Sequence, residues 1–219
     1  MKYKNIGKIS TAVIYGDSIS TRNHGKGGYE GLIKEKLKIG KIYNHAVGSS
    51  GVSRKTPNSL VSLLENEKSI HKDADLIIIW HGTNDWYWGA PIGDIASDDE
   101  NTFCGAIRSV INKMRKYSSK ANIVYLTPIF RYEIPDKCYV KEEGYVNKNS
   151  IGLTLKDYYD AIIDSSIILG FTTIDMRKLT NFHYYNAVEY FEDYVHPCEA
   201  GYVKIADIIA SGIDLLSFE

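Results

Sequence analysis

Residues 12–20 read Ala-Val-Ile-Tyr-Gly-Asp-Ser-Ile-Ser, and the apolar run at their start stops abruptly at Gly16. A short run of β-branched and aromatic residues that ends in turn residues is typical of a buried strand. Glycine adopts backbone angles closed to other residues, so the chain can turn sharply there. The stretch predicts that Ser18 lies just beyond the carboxyl edge of a parallel sheet, where open α/β sheets bind ligands. Ser18 is therefore a candidate nucleophile; the alternative is that Asp17 and Ser18 only cap the next helix.

Further apolar runs predict strands, and the amphipathic segments between them predict helices. The predicted strands cover residues 12–15, 41–47, 75–80, 122–127 and 171–175. The predicted helices cover residues 29–37, 58–70, 99–117, 153–169 and 199–216. Strands that alternate with helices form a parallel sheet with helices on both faces, so the sequence predicts an α/β fold.

The composition excludes several classes of partner. A formal net charge of −1 gives no basic surface for nucleic acid, and no apolar run is long enough to span a bilayer. The N-terminal residues lack the apolar stretch of about 7–15 residues that a secretory signal needs. We therefore expect a cytoplasmic protein with neither a nucleic-acid nor a membrane partner. Cys104, Cys138 and Cys198 are odd in number and widely spaced, which favours free thiols over a disulfide framework or a zinc site.

Polar clusters follow the first three predicted strands. They contain Ser18, the loop 48–51 and Asn84. Because the carboxyl ends of parallel strands meet at one edge of the sheet, these clusters can converge. A fourth cluster, residues 193–197, precedes the last predicted helix and supplies His196. Histidine is well suited to take a proton from serine near neutral pH, and a nearby carboxylate can hold its other ring nitrogen.

Three of these motifs together resemble the SGNH hydrolases, also called GDSL-type lipases and esterases. The motifs are Gly16-Asp17-Ser18, Gly82-Thr83-Asn84-Asp85 and Asp193-x-x-His196-Pro197, in the order and at the spacing of that family. The resemblance covers nearly the whole chain. It implies a three-layer α/β/α sandwich with a flavodoxin-like, five-stranded parallel sheet in the order 2-1-3-4-5. We expect a single such domain over residues 1–219, with insert loops at about 86–97, 130–150 and 177–195 near the active-site edge.

The resemblance also implies serine-esterase chemistry without a metal or organic cofactor. By that resemblance, Ser18 attacks the ester carbonyl, His196 accepts the serine proton, and Asp193 orients His196. The oxyanion is held by the backbone N–H of Ser18, a backbone N–H from the second polar cluster and the side-chain amide of Asn84.

The second cluster departs from the pattern of the family. There, an asparagine is commonly followed five residues later by the glycine that donates to the oxyanion. Here Asn44 is followed by Gly48 at four residues and by Ser49 at five. We favour Gly48 because glycine permits close backbone approach, and Ser49 and Gly51 are the alternatives.

Several other side chains near the motifs have two interpretations. Trp86 and Trp88 follow the third motif directly and either wall the substrate pocket or pack under the loop. Asp17 and Asp85 are interpreted as hydrogen-bond acceptors that brace their loops. The histidines outside the motifs show no metal-ligand spacing and are interpreted as surface or packed residues; they are His24, His45, His71, His81 and His183.

The expected substrate is a carbohydrate or similar small-molecule ester with a short acyl group, above all acetyl. No long apolar segment indicates a fatty-acyl tunnel, while the polar and aromatic loops suit sugars. The alternatives are a lysophospholipase or thioesterase acting on longer acyl chains, a catalytically silent carbohydrate-binding domain on the same fold, and a metal-dependent phosphoesterase. The last requires clustered Asp and His ligands, and the first motif supplies a single carboxylate.

Overall fold

Five strands form the centre of the fold in the computed structural model of the protein, which describes residues 3–132 and 144–218. The strands are β1 (Thr11–Gly16), β2 (Lys41–Asn44), β3 (Leu76–Trp80), β4 (Asn122–Leu126) and β5 (Thr172–Ile174). They pair in parallel in the order β2-β1-β3-β4-β5. This confirms the predicted strands, the parallel sheet and the strand order.

Both faces of the sheet are buried, which explains why the strands read as continuous apolar runs. Along β1, Ala12 and Ile14 join the core on one face, while Val13 and Tyr15 join the core on the other. Successive side chains of a strand point to opposite faces, so one run of apolar residues serves two cores.

Helices cover the two faces of the sheet. They are α1 (Glu30–Leu37), α2 (Leu60–Leu63), α3 (Thr83–Tyr87), α4 (Phe103–Tyr117), α5 (Leu155–Leu169), α6 (Met176–Leu179), α7 (Ala187–Tyr190) and α8 (Glu199–Asp214). α1 and α8 pack together on one face, and α4 packs against α5 on the other. The result is the predicted three-layer α/β/α sandwich.

The predicted helix over residues 58–70 is wrong in extent. Only α2 and a separate 3₁₀ turn, Glu67–Ser69, are helical there. The break comes at Asn66, whose side-chain Oδ1 accepts the backbone N–H of Lys68 at 3.1 Å and starts a new turn. Asparagine side chains compete for backbone hydrogen bonds in this way, and apolar periodicity does not reveal it.

Two predicted insert loops contain short helices. α3 ends at Tyr87, inside the segment predicted as a loop from residue 86, and α6 and α7 lie in or overlap residues 177–195. Most of the third predicted insert, residues 130–150, lies outside the described residues, as does Cys138. Cys104 and Cys198 are free thiols. Within the described part of the chain, no helix combines the length and the apolar character needed to cross a membrane.

Candidate active site

Ser18 lies in a tight 3₁₀ turn, Ser18–Ser20, that begins just after β1 ends. The Asp17 carboxylate caps this turn by accepting the backbone N–H of Ile19 at 2.9 Å. Gly16 is required by space: a Cβ there would lie 2.3 Å from Oγ of Ser20. The sharp turn therefore depends on close approach between residues 16 and 20, and it presents the Ser18 hydroxyl at the carboxyl edge of the sheet.

The structure brings Ser18, His196 and Asp193 together. The Ser18 hydroxyl donates to Nε2 of His196 over 2.9 Å, and Nδ1 of His196 lies 2.7 Å from Oδ2 of Asp193. A carboxylate on Nδ1 selects the tautomer in which Nδ1 carries the proton, so Nε2 is left to accept. The three side chains thus form one continuous chain of hydrogen bonds.

Asp193 is held by its own neighbours as well as by the imidazole. Its Oδ1 accepts the backbone N–H groups of Val195 at 3.0 Å and His196 at 2.7 Å. Partial burial favours the protonated carboxyl, but the His196 side chain, these N–H groups and the His196 charge outweigh it, so the pKa of Asp193 lies well below its usual range. Asp193 is therefore ionised at neutral pH and can stabilise an imidazolium.

Asn84 is the second residue of α3 and is buried beside Ser18. Its Nδ2 donates one proton to the carbonyl oxygen of Ser50 over 3.0 Å. A primary amide has two N–H donors, and this bond orients the second. Asn84 also lines the pocket at Ser18, so its amide group lies at the site.

In the second cluster, Ser49 and not the favoured Gly48 lines the pocket. Ser49 has φ 63°, a left-handed conformation that places it at the turn of this loop. The N–H of Gly51 donates to Oγ1 of Thr56 at 2.9 Å, so it is committed elsewhere. Ser49, five residues after Asn44, is therefore the member of this cluster that lines the pocket, while the assignment of the oxyanion donor to Gly48 stays a prediction.

Asp85 braces the loop that carries Ser49. Its buried carboxylate accepts the backbone N–H groups of Val52 and Ser53, each at 3.0 Å. Burial raises the pKa of Asp85 to about 6, although those N–H groups act to lower it. Burial likewise raises the pKa of Asp17 to about 7, against the Ile19 N–H. The interpretation of both aspartates as bracing acceptors is confirmed.

The pocket at Ser18 has a volume of about 260 Å³. Its lining residues are Ser18, Ser49, Asn84, Tyr87, Trp88, Arg131, Val195 and His196. Trp88 is 47% exposed and contributes to this wall. Trp86 is fully buried, and its indole N–H donates to the carbonyl oxygen of Leu153 at 3.2 Å. Of the two interpretations, Trp88 therefore fits the wall of the pocket and Trp86 fits packing under the loop. Residues two apart on a helix lie about 200° apart around its axis, which separates the two indoles.

Arg131 is the charged lining residue that sequence reasoning missed. It is 6% exposed, its Nη1 donates to Oγ1 of Thr83 at 3.1 Å, and its guanidinium lies over the rings of Trp86 and Tyr87. Its position five residues after β4 is the available signal, since polar residues beyond a strand's carboxyl end tend to reach the ligand site. Arg131 was not singled out because it lies within an irregular segment, predicted as an insert loop, that has no periodic pattern.

Three of the five histidines outside the motifs contact another histidine. Nε2 of His45 lies 2.8 Å from Nε2 of His71, and the ring of His24 stacks on that of His196. Throughout residues 3–132 and 144–218, no three His, Cys, Asp or Glu side chains are grouped so that they could hold a metal ion.

Comparison with known proteins gives one family and many similar folds. The sequence model of the GDSL-like lipase/acylhydrolase family matches residues 14–204. A protein from Lactobacillus plantarum is 20% identical with a TM-score of 0.81, covering 95% of this chain and 98% of its own. A protein described as a possible lipase from Chitinophaga pinensis is 22% identical with a TM-score of 0.76, covering 95% and 99%. The acetyl xylan esterase AlAXEase is 21% identical with a TM-score of 0.66, covering 93% and 99%. At this identity the structures establish the fold alone, and no curated protein gives a significant match.

Proposed function

Because this chain belongs to the GDSL-like lipase/acylhydrolase family, we propose that it is a serine esterase that removes short acyl groups, above all acetyl, from a carbohydrate or similar small molecule. The observation that carries the proposal is the hydrogen-bonded chain from the Ser18 hydroxyl through His196 to Asp193, with links of 2.9 and 2.7 Å. Nucleophile, base and orienting acid are the three parts that acyl transfer through serine needs.

In the proposed reaction, Ser18 Oγ attacks the ester carbonyl while its proton passes to Nε2 of His196. The negative charge that develops on the carbonyl oxygen is held by the N–H groups of Ser18 and Ser49 and by the Asn84 amide. When the C–O bond breaks, His196 returns the proton to the leaving alcohol. Water then attacks the acyl carbon while His196 takes one of its protons. The bond from the acyl carbon to Ser18 Oγ breaks, His196 returns that proton to Oγ, and the acid leaves.

The size and lining of the pocket support a short acyl group on a polar substrate. A volume of about 260 Å³ lies below the range of about 300–1,000 Å³ typical of drug-sized ligands. Polar groups from Ser49, Asn84 and Arg131 face the same space as the rings of Tyr87 and Trp88. Hydrogen-bonding groups beside flat rings suit a sugar. That one protein of this fold is an acetyl xylan esterase adds support.

The nucleophile is tested by Ser18→Ala, assayed with p-nitrophenyl acetate. We expect kcat to fall by about 10⁶-fold, the loss found when a serine nucleophile is removed. The thermal midpoint should stay nearly unchanged, because the half-buried hydroxyl of Ser18 contributes little folding energy. Ser49→Ala is the matched control, since Ser49 contributes a backbone donor and should keep its turnover. Retained turnover in Ser18→Ala would remove Ser18 from this role.

The acyl preference is tested with p-nitrophenyl esters from acetyl to decanoyl. We expect kcat/KM to be highest for acetyl and to fall as the chain lengthens, because the pocket cannot enclose a long chain. A maximum at octanoyl or decanoyl would favour a lysophospholipase or thioesterase. Absence of turnover on every ester and on acetylated xylo-oligosaccharides, with binding of the sugars, would favour a silent binding domain.

A further inference from the structure

His24 stacks on the imidazole of His196. The two ring centroids are 4.0 Å apart and the ring planes differ by 10°. His24 does not belong to the lining of the pocket at Ser18. It therefore covers a face of the His196 ring from outside the pocket, where it does not compete with the substrate for space.

Glu192 fixes the orientation of the His24 ring. Its Oε2 lies 2.9 Å from Nδ1 of His24, and its Oε1 accepts the backbone N–H of Gly25 at 2.9 Å. The backbone N–H of Glu192 in turn donates to the carbonyl oxygen of His196 at 2.8 Å. One residue thus connects the loop of His24 with the segment of His196, so the two rings are held in a fixed relation.

The backbone around His24 is also tightly held. The N–H groups of Gly27 and Gly28 donate to the carbonyl oxygen of His24 at 3.1 and 2.9 Å. Gly25 has φ 51°, and a Cβ there would lie 2.2 Å from Cδ2 of Tyr202 in α8. The loop consequently packs directly on the last helix, and this packing holds His24 in place against the His196 ring.

The His196 ring turns about its Cβ–Cγ bond, a torsion that is intrinsically broad in histidine. Ser18 and Asp193 engage Nε2 and Nδ1. Rotation about Cβ–Cγ would carry both nitrogens out of line with these partners. A flat ring in contact with the imidazole face resists this rotation, because any tilt brings the two rings into collision.

From this geometry we propose that His24, held by Glu192, is a positioning residue that keeps the His196 imidazole in the plane of its bonds to Ser18 and Asp193. The inference rests on the proposed esterase function. Small errors in the position of a reacting group can cost up to about 10²-fold in rate, so this contact affects turnover although His24 touches no reacting atom.

The experiment compares His24→Phe, which keeps a flat ring, with His24→Leu, which fills similar space without one. With p-nitrophenyl acetate, we expect His24→Leu to lower kcat about tenfold while KM changes less than about twofold. His24→Phe should stay within about threefold of the wild-type kcat. Lys26→Ala is the matched control, since Lys26 lies in the same loop but pairs with Glu199. A wild-type kcat in His24→Leu, or an equal loss in both variants, would overturn the proposal.

A second measurement distinguishes this proposal from the esterase proposal. Nuclear magnetic resonance of protein with ¹⁵N-labelled histidine reports the His196 ring without any substrate. We expect the ¹⁵N signals of the His196 ring, which report its tautomer and hydrogen bonds, to shift or broaden clearly more in His24→Leu than in His24→Phe. Unchanged His196 signals in His24→Leu would refute the positioning role even if the protein is an esterase. Changed signals in a protein without ester turnover would leave the positioning contact intact and refute the esterase function.

Discussion

At the scale of single residues, the site depends on side chains that have both a structural bond and a catalytic one. Asn84 donates one amide proton to the carbonyl oxygen of Ser50 and lines the pocket at Ser18, where the second is proposed to act. Asp193 binds two backbone N–H groups with one oxygen and the His196 imidazole with the other. In each case we expect the structural bond to orient the side chain for its proposed catalytic role before substrate arrives.

Asn84→Ala removes one of the proposed oxyanion donors. We expect kcat for p-nitrophenyl acetate to fall by about 10²–10³-fold, because the donor acts on charge that develops in the transition state. KM should change little, which separates this loss from weaker substrate binding. A variant with a wild-type kcat would show that Asn84 only holds Ser50.

Gly48→Ala tests which residue of the second cluster is the backbone donor to the oxyanion. Within the described residues, no atom lies within 4 Å of a Cβ built on Gly48, and its φ is not positive. We therefore expect kcat to remain within about twofold of wild type and stability to rise by about 0.4–1 kcal/mol, since alanine restricts the unfolded chain. Steady-state kinetics and urea unfolding measure both. A large fall in kcat would instead support Gly48 as the backbone donor to the oxyanion.

At the scale of elements, α3 and the loop 48–53 form one unit. Asn84 and Asp85 are adjacent in α3, and they bind the loop through the carbonyl of Ser50 and the N–H groups of Val52 and Ser53. Two neighbouring residues of α3 therefore set the two proposed oxyanion donors, the Asn84 amide and the Ser49 N–H, relative to each other. Displacing either element would misplace both donors at once.

Asp85→Ala should weaken the fold and the catalytic site together. Two buried N–H groups lose their acceptor, at about 1–3 kcal/mol each in the free energy of unfolding. The loop that carries Ser49 loses this support, so the proposed backbone donor of Ser49 is less well placed and kcat should also fall. Asp85→Asn keeps one acceptor oxygen and should lie between Asp85→Ala and wild type in urea unfolding. Equal stability of Asp85→Ala and wild type would contradict the bracing role.

At the scale of the whole molecule, burial of ionisable groups around the sheet edge makes stability depend on pH. Burial lowers the pKa of His81 to about 3 from about 6.5 in an unfolded chain. The folded protein then binds fewer protons than the unfolded chain between these values, so acidification costs stability. Asp17 and Asp85 act oppositely: their raised pKa values make the folded protein bind more protons between about 4 and 7.

His81→Gln isolates the contribution of His81, because both aspartates remain. Between about pH 6 and pH 4, we expect the unfolding free energy of wild type to fall relative to the variant by about 1.4 kcal/mol per pH unit. The difference should be constant above about pH 7.5, where His81 is neutral in both states. Urea unfolding at a series of pH values measures this difference in unfolding free energy. A difference that does not change with pH would show that His81 is not buried in its neutral form.

The sequence by itself determined the five strands, their parallel arrangement and the three motifs, because strand periodicity, turn residues and motif spacing are local properties. It also placed Ser18 and Asn84 at one edge, since parallel strands share their carboxyl ends. The strand order and the place of His196 at that edge came from the family resemblance. The tertiary structure alone decided that Trp88 and not Trp86 lines the pocket, that Ser49 and not Gly48 lines it, and that Arg131 lies in its wall while His24 stacks on His196. These outcomes depend on the angle at which elements distant in sequence pack together, and no local pattern records that angle.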